Sequence, residues 1–292
     1  MTQPARHTSS TVDVAGSVVV AVDGSEHASR ALRWAAEQAS LEHRPLVIIS
    51  VGEAADRTAR HAAVTARELH PDLTVRPEGM PGDPREVLIG LSGQAHLLVM
   101  GSRGRGSLRG MLLGSVSAAV SAQAVCPVVV CRPLQDEHAQ AGVVVGADAT
   151  RESLPVIEFA YRQAALRGMP LTVLHCFWDA AVAVAQYREA RGQRAVPPEL
   201  ESLRAALSAS VAGFSDLYPD VPVNLTLKHG FVDEALNPRH GGWDLVVVGR
   251  HPMTSLGRVL TGSIATTIME RAHGAVAVVP EEPPSTRPGD QY

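Results

Sequence analysis

The chain has 292 residues, 45% hydrophobic and 4% aromatic, with a formal net charge of −4. That length suits two domains of about 100–150 residues each, and that charge excludes a general nucleic-acid binder, which needs a basic surface. Three cysteines, Cys126, Cys131 and Cys176, exclude a disulfide framework, and no apolar run reaches the ~18 residues of a membrane span.

In chain order, residues 1–15 read as a solvated tail without the apolar core of a secretion signal, so a cytoplasmic location is expected. The run VVVAV predicts a strand over 17–22, followed by Asp23-Gly24-Ser25 and a helix over 26–41. A strand over 45–51, a helix over 57–69 and a strand over 73–77 follow. Gly82-Asp83-Pro84 reads as a strand-to-helix turn before a helix over 84–93. A strand over 96–100 runs into the loop GSRGRGSLRGMLLGS (101–115), then a helix over 115–124 and a strand over 127–131. After a linker at 135–141, strands are predicted at 142–147, 171–176, 222–228, 244–248 and 275–279. Helices are predicted at 151–168, 198–217 and 263–272, with Pro238 and Gly241-Gly242 cutting short the helix that would match 84–93. Residues 282–292 read as a second solvated tail. The apolar runs VVVAV, LVIIS, LLVM and VVV do not alternate with polar residues. Their strands are therefore buried on both faces, in parallel sheets covered by helices and doubly wound by right-handed crossovers.

The two halves repeat one another. VVVAVDGSEHASRALRWAAEQA (18–39) matches VVVGADATRESLPVIEFAYRQA (143–164), which places Asp148 opposite Asp23 and Cys176 opposite Val51 at an offset of 125. Gly230, Gly249 and Gly262 stand opposite Gly82, Gly101 and Gly114 at an offset of 148. The second half therefore carries 23 extra residues after its second strand. The most informative segment is the glycine loop between a strand and a helix start. Gly101, Gly104, Gly114 and Ser115 there can form an anion cradle, because glycines permit positive φ and close backbone approach while the helix N-terminus presents N–H groups. Arg103, Arg105 and Arg109 add three cations to it.

The spacing G-x2-G-x9-G-S, the opening VVVAVDGSEHASRAL and the tandem copy resemble the universal stress protein family in its two-domain form, over roughly residues 16–281. The Ala/Arg-rich composition, with Lys228 the single lysine, resembles that of actinobacterial members. The resemblance implies two domains, 16–134 and 142–281. Each is an adenine-nucleotide α-hydrolase-like five-stranded parallel sheet in the order 3-2-1-4-5. It implies ATP, with or without Mg, in motif-bearing members, and a role in stress signalling or dormancy rather than one defined reaction. By position, Asp23 would meet the ribose or adenine end, and Val51 would meet adenine through its backbone. Gly101, Arg103, Gly104, Gly114, Ser115 and the Val116 N–H would hold the phosphates. Asp23 closes the first strand and the loop follows the fourth, which makes them neighbours at the switch point where open α/β sheets bind ligands. A second, weaker site would use Asp148, Cys176, Gly249, Gly262, Ser263 and Ile264. There Pro252 replaces Gly104 and removes an N–H donor, while Ala149 and Thr150 replace Gly24 and Ser25. The family's fifth strands pair across a two-fold, so 127–131 and 275–279 are expected to join the halves as a pseudo-dimer, with a homodimer and an unidentified signalling partner left open.

Plainer readings stand beside these. Asp23-Gly24-Ser25 can be a helix-capping turn, and the loop arginines can be a solvated surface. Buried thiols suit the cysteines better than metal ligation, and packing or capping suits His175. Trp34, Trp178 and Trp243 read as core or interface, and His27, His43, His61 and His70 lack metal spacing. A P-loop enzyme is excluded because Lys228 lies in LTLKHGF, outside any G-x4-G-K-[ST]. LSGQAH (91–96) is not the S-G-G-x-D-S of an ATP pyrophosphatase, and the ligand loops of the first half lack the aromatics of a flavin site. The expected activity is binding without catalysis, any ATP hydrolysis being slow and incidental. The alternative is a nucleotide-independent interaction module.

Overall fold

The computed structural model describes residues 12–104, 112–133, 142–148, 150–177, 198–236, 242–250 and 264–281. The first half runs β1 (Val18–Ala21), α1 (Glu26–Leu41), β2 (Leu46–Val51), α2 (Ala55–Leu69), β3 (Val75–Met80), α3 (Pro84–Leu91), β4 (Leu97–Gly101), α4 (Ser115–Gln123) and β5 (Val128–Cys131). The second runs β6 (Val143–Gly146), α5 (Leu154–Arg167), β7 (Leu171–Phe177), α6 (Pro198–Leu217), β8 (Val223–His229), α7 (Val232–Leu236), β9 (Leu245–Arg250), α8 (Ile264–Arg271) and β10 (Ala275–Pro280). α7 is described up to Leu236, and Pro238 and Gly241, which the sequence reading expects to cut it short, lie outside the described residues.

The ten strands form one sheet in the order β3-β2-β1-β4-β5-β10-β9-β6-β7-β8, so each half has the order 3-2-1-4-5. Pairing is parallel within each half. The halves join through β5 and β10, which run antiparallel with Val130 opposite Val276 and Val129 opposite Ala277. The fifth strands thus do pair across the pseudo-two-fold. Their residues are almost wholly buried, each Val worth about 1.5–3 kcal/mol relative to exposure.

One apolar layer lies on each face of the sheet, and each runs through both halves. α1 buries Ala28, Ala31, Leu32, Ala35, Ala36 and Ala39, a helical stripe of small side chains that lets it lie close on the strands. The same layer contains Ile157, Ala160 and Tyr161 of α5. The opposite layer contains Leu88 of α3, Val120 of α4, Leu236 of α7 and Ile268 of α8.

The seam is also polar. Glu42, just after α1, has a side chain only 6% exposed and meets His96 Nε2 at 3.0 Å, Arg162 Nε of α5 at 3.7 Å and Arg44 Nε at 3.8 Å. The Arg167 guanidinium lies 4.9 Å from the centre of the half-buried Trp34 ring. Trp243 is partly buried against the second layer, and Trp178 lies outside the described residues. Cys126 and Cys131 are buried thiols, both pushed up to about 12 by desolvation. His175 Nδ1 sits 2.8 Å from the Ala147 carbonyl oxygen, a packing role.

Candidate functional site

A cleft of about 330 Å³ opens at the C-terminal ends of β1, β2 and β4. Its lining brings together Asp23, Val51, Gly101, Arg103, Gly104, Gly114, Ser115 and Val116, every residue of the first site named from sequence. One side is built by the turn after β1. Asp23 Oδ1 accepts the Ser25 N–H at 2.9 Å, Gly24 adopts φ 80°, and Ser25 caps α1 by accepting the Ala28 N–H at 3.2 Å. The capping role is real, and it leaves the Asp23 side chain on the cleft wall.

The other side is the glycine loop, whose residues 105–111, Arg105 and Arg109 among them, lie outside the described set. Its neck is closed by Gly114 N–H donating to the Ser102 carbonyl at 2.7 Å and by Ser117 Oγ donating to the Gly101 carbonyl at 2.8 Å. The glycines serve close approach rather than unusual dihedrals. Gly101, Gly104 and Gly114 are absent from the left-handed region. A Cβ on Gly101 would stand 2.7 Å from the His27 carbonyl carbon, and one on Gly104 would stand 2.7 Å from Asp23 Oδ2. The N-cap of α4 is Gly114, without a side-chain cap, and Ser115 is the first helical residue. The first-turn N–H groups of α4 therefore face the cleft uncapped by any side chain.

The electrostatics favour an anion. His27, on the far side of Gly101, is pushed below the ordinary imidazole value by burial first and then by Arg103 and Arg30. Burial is the larger cause; the smaller contributions come from the Arg103 and Arg30 charges, which lie close to the neck of the loop. The opposite wall is apolar, made by Ile49, Leu88 and Met100, with Pro84 and Val51 beside them. A ligand with a flat apolar end and a polyanionic end fits that division. The sequence reading missed the apolar wall, because Leu88 and Pro84 reach the cleft only through the placement of α3 on the sheet. Gly82 at φ 111° and Asp83, which caps α3 by accepting the Arg85 N–H at 2.7 Å, form the turn foreseen there.

The second half copies the scaffold incompletely. Asp148 Oδ1 accepts the Thr150 N–H at 3.0 Å and the Thr150 hydroxyl at 2.7 Å, mirroring Asp23 and Ser25. Cys176 lies partly buried near the end of β7, and Ile264 opens α8. Over Gly249 lies a group the sequence reading did not foresee. The Glu281 carboxyl packs there so closely that a Cβ would stand 2.0 Å from Oε1. Ala149, Pro252, Gly262 and Ser263 lie outside the described residues. Among the described residues no cluster of His, Cys, Asp and Glu could hold a metal ion, and no helix is long and apolar enough to cross a membrane.

Comparison with known proteins agrees with this architecture. The model of the universal stress protein family matches residues 16–78, 52–132 and 142–280. A universal stress protein of Mycobacterium tuberculosis strain H37Rv is 29% identical over 288 residues, covering 89% of this chain and 96% of the relative. One from Mycolicibacterium smegmatis is 29% identical over 296 residues, covering 90% and 96%. In structure, a universal stress protein from Archaeoglobus fulgidus superposes with a TM-score of 0.59 at 18% identity, over 91% of this chain and 96% of its own. A functionally unknown protein from Pseudomonas aeruginosa PAO1 does so with a TM-score of 0.64 at 18% identity, over 92% and 94%.

Proposed function

The chain belongs to the universal stress protein family, and we propose that it is a regulatory member that binds ATP in the cleft of its first half without turning it over at an enzyme's rate. The observation that carries this reading is the convergence of Asp23, Val51 and the loop residues Gly101, Arg103, Gly104, Gly114, Ser115 and Val116 on one cleft with an apolar wall. The base packs on Ile49, Leu88 and Met100, the ribose hydroxyls donate to Asp23, and the phosphates take the α4 N–H groups and Arg103. Among the described residues Asp23 is the single carboxylate of the lining, and its Oδ1 already accepts the Ser25 N–H. A magnesium ion therefore enters on the phosphates of the nucleotide rather than on a protein ligand set. Among the described residues no side chain of the lining other than Asp23 can act as a general base, and the carboxylate is assigned to the sugar, so turnover stays below about 1 s⁻¹. The second half binds nucleotide weakly or not at all, because Pro252 removes a donor and Glu281 brings a carboxyl group to Gly249.

Nucleotide released by heat from purified wild type, Asp23→Ala and Gly104→Pro tests the reading. About one ATP per chain, lost in both variants, is the expected result, and about two, halved in the variants, would show that the second half also works. No nucleotide in wild type and no binding of added ATP would overturn the reading in favour of the interaction module. The structure gives that module less support, since β5 and β10, the strands best suited to pairing with another chain, are already paired to each other.

A further inference from the structure

Two arginines cross the seam between the halves, and each ends on the helix whose N-terminus belongs to the other half's candidate site. Arg132 follows β5. Its Nη1 amino group donates to two carbonyls at once, Leu112 at 2.8 Å in the glycine loop of the first cleft and Met269 at 2.7 Å in the last turn of α8. Arg250 ends β9 beside Gly249 and donates to the Ala122 and Ala124 carbonyls at the C-terminus of α4, whose first residue is Ser115 of the first cleft. These carbonyls are among the four left open at a helix C-terminus, where a cation is favoured both by hydrogen bonding and by the helix dipole. Both guanidinium groups are partly desolvated, which lowers their pKa values. Charged and partly buried, each holds two carbonyls at once, and Arg132 thereby bridges the loop to α8.

We propose that Arg132 couples occupancy of the first cleft to helix α8 of the second half, and that Arg250 carries the same coupling back through α4. The inference rests on the reading that the cleft takes ATP. Nucleotide at the Gly114–Val116 N–H groups holds the Leu112–Leu113 backbone that leads directly into them. Because one amino group of Arg132 holds both Leu112 and Met269, ordering the first carbonyl fixes the donor that caps the second. The last turn of α8 then opens less often, and by reciprocity anything that fixes α8 raises affinity for ATP. Arg132 is thus a positioning residue, acting on the ligand through the Leu112 carbonyl, and the second half becomes the reporter of the first.

Hydrogen exchange of the full chain with and without saturating ATP, together with ATP titration calorimetry, tests this on wild type, Arg132→Met, Arg132→Lys and Arg250→Met. In wild type, ATP is expected to slow exchange at 268–272 by about 5-fold or more, the lower end of ordinary allosteric coupling. Arg132→Met should abolish that protection and weaken ATP binding by about the same factor, while exchange in α1 stays unchanged. Arg132→Lys, which keeps a cationic donor, should recover part of both, and Arg250→Met should weaken binding through α4. The coupling is overturned if ATP binds wild type and leaves exchange at 268–272 unaltered, or if Arg132→Met keeps full protection. Absence of any heat of ATP binding to wild type overturns the parent reading as well, which separates the two failures. Were Arg132→Met unable to fold, the wild-type comparison and Arg250→Met would decide the matter.

Discussion

At the scale of single residues, the cleft separates two reasons for glycine. Gly24, at φ 80°, is required by a backbone angle that costs other residues energy. Gly101 is required by a neighbour, because the first turn of α1 passes across it and a Cβ would stand within 2.7–2.9 Å of the His27 backbone and Cβ. Neither contact can yield without shifting α1. Gly101→Ala is therefore expected to cost about 1–3 kcal/mol in urea unfolding, in the range of overpacked sites. Gly114→Ala meets its nearest atoms, Arg103 Cα and the Ser102 oxygen, at 3.4 Å and should cost less. Equal losses in the two variants would sink the distinction. The family spacing marks both glycines alike, so which one is sterically locked is visible only once α1 is in place.

At the scale of elements, α3 is where local chemistry reaches the cleft. Asp83 caps it, Pro84 opens it, and Leu88, one turn on, lies on the apolar wall. Hydrogen bonds from Arg85 hold the exposed Asp83 carboxyl down to about 2. Asp83→Ala should therefore fray α3 and weaken ATP binding at all pH values above about 4 (Asp ~3.9 when unperturbed). Unchanged affinity in the variant would remove α3 from the site. Asp83-Pro84 was legible because an N-cap followed by Pro at the first position has a mechanism in sequence. The buried strands were legible for a similar reason, since four to six consecutive apolar residues need cover on both faces, and β1, β2, β4 and β5 fall within two residues of their predicted ends. β3 was read too early, at 73–77 rather than Val75–Met80. Pro77 and Glu78 argue against a strand, yet β3 is an edge paired only with β2, where a missing N–H costs little. Gly79 is the signal that could have extended it, because the start of α2 passes so close that a Cβ would stand 2.4 Å from the Asp56 nitrogen. The arginine caps across the seam had no sequence signal, since Arg132 and Leu112 or Met269 become neighbours only when the sheet closes.

At the scale of the whole molecule, the seam decides which half pairs with which. The repeat places Glu37 and Glu42 of the first half opposite Arg162 and Arg167 of the second, so one side of the pseudo-two-fold is acidic where the other is basic. Two copies of the first half would set Glu42 against Glu37, the residue at the position of Arg162, whereas the tandem sets it against Arg162 at 3.7 Å. Like charges facing one another oppose association, so this pattern favours pairing within the chain over pairing between copies. Burial raises the Glu42 pKa, but the His96 hydrogen bond and the charges of His96, Arg162 and Arg44 outweigh it, leaving the folded value below 4.5. As pH falls, the unfolded chain therefore takes up the proton first. The stabilisation is complete above about 4.5 and is lost as pH falls through the lower folded value. The stability gap between wild type and Glu42→Gln should accordingly narrow as pH falls below about 4.5, and a constant gap would mean that the charge contributes nothing. Charge reversal tests the pairing itself. Glu42→Arg puts a third cation beside Arg162 and Arg44, and its cost should fall below the ~3–5 kcal/mol of fully buried pairs, because both arginines are partly exposed. Adding Arg162→Glu should return part of that loss, with a coupling above ~0.5 kcal/mol in the double-mutant cycle. Recovery stays partial because Arg44 and His96 still face the reversed charge. Strict additivity of the two reversals would show that the ion pair does not hold the halves together, and would leave that task to the β5–β10 ladder and the two arginine caps.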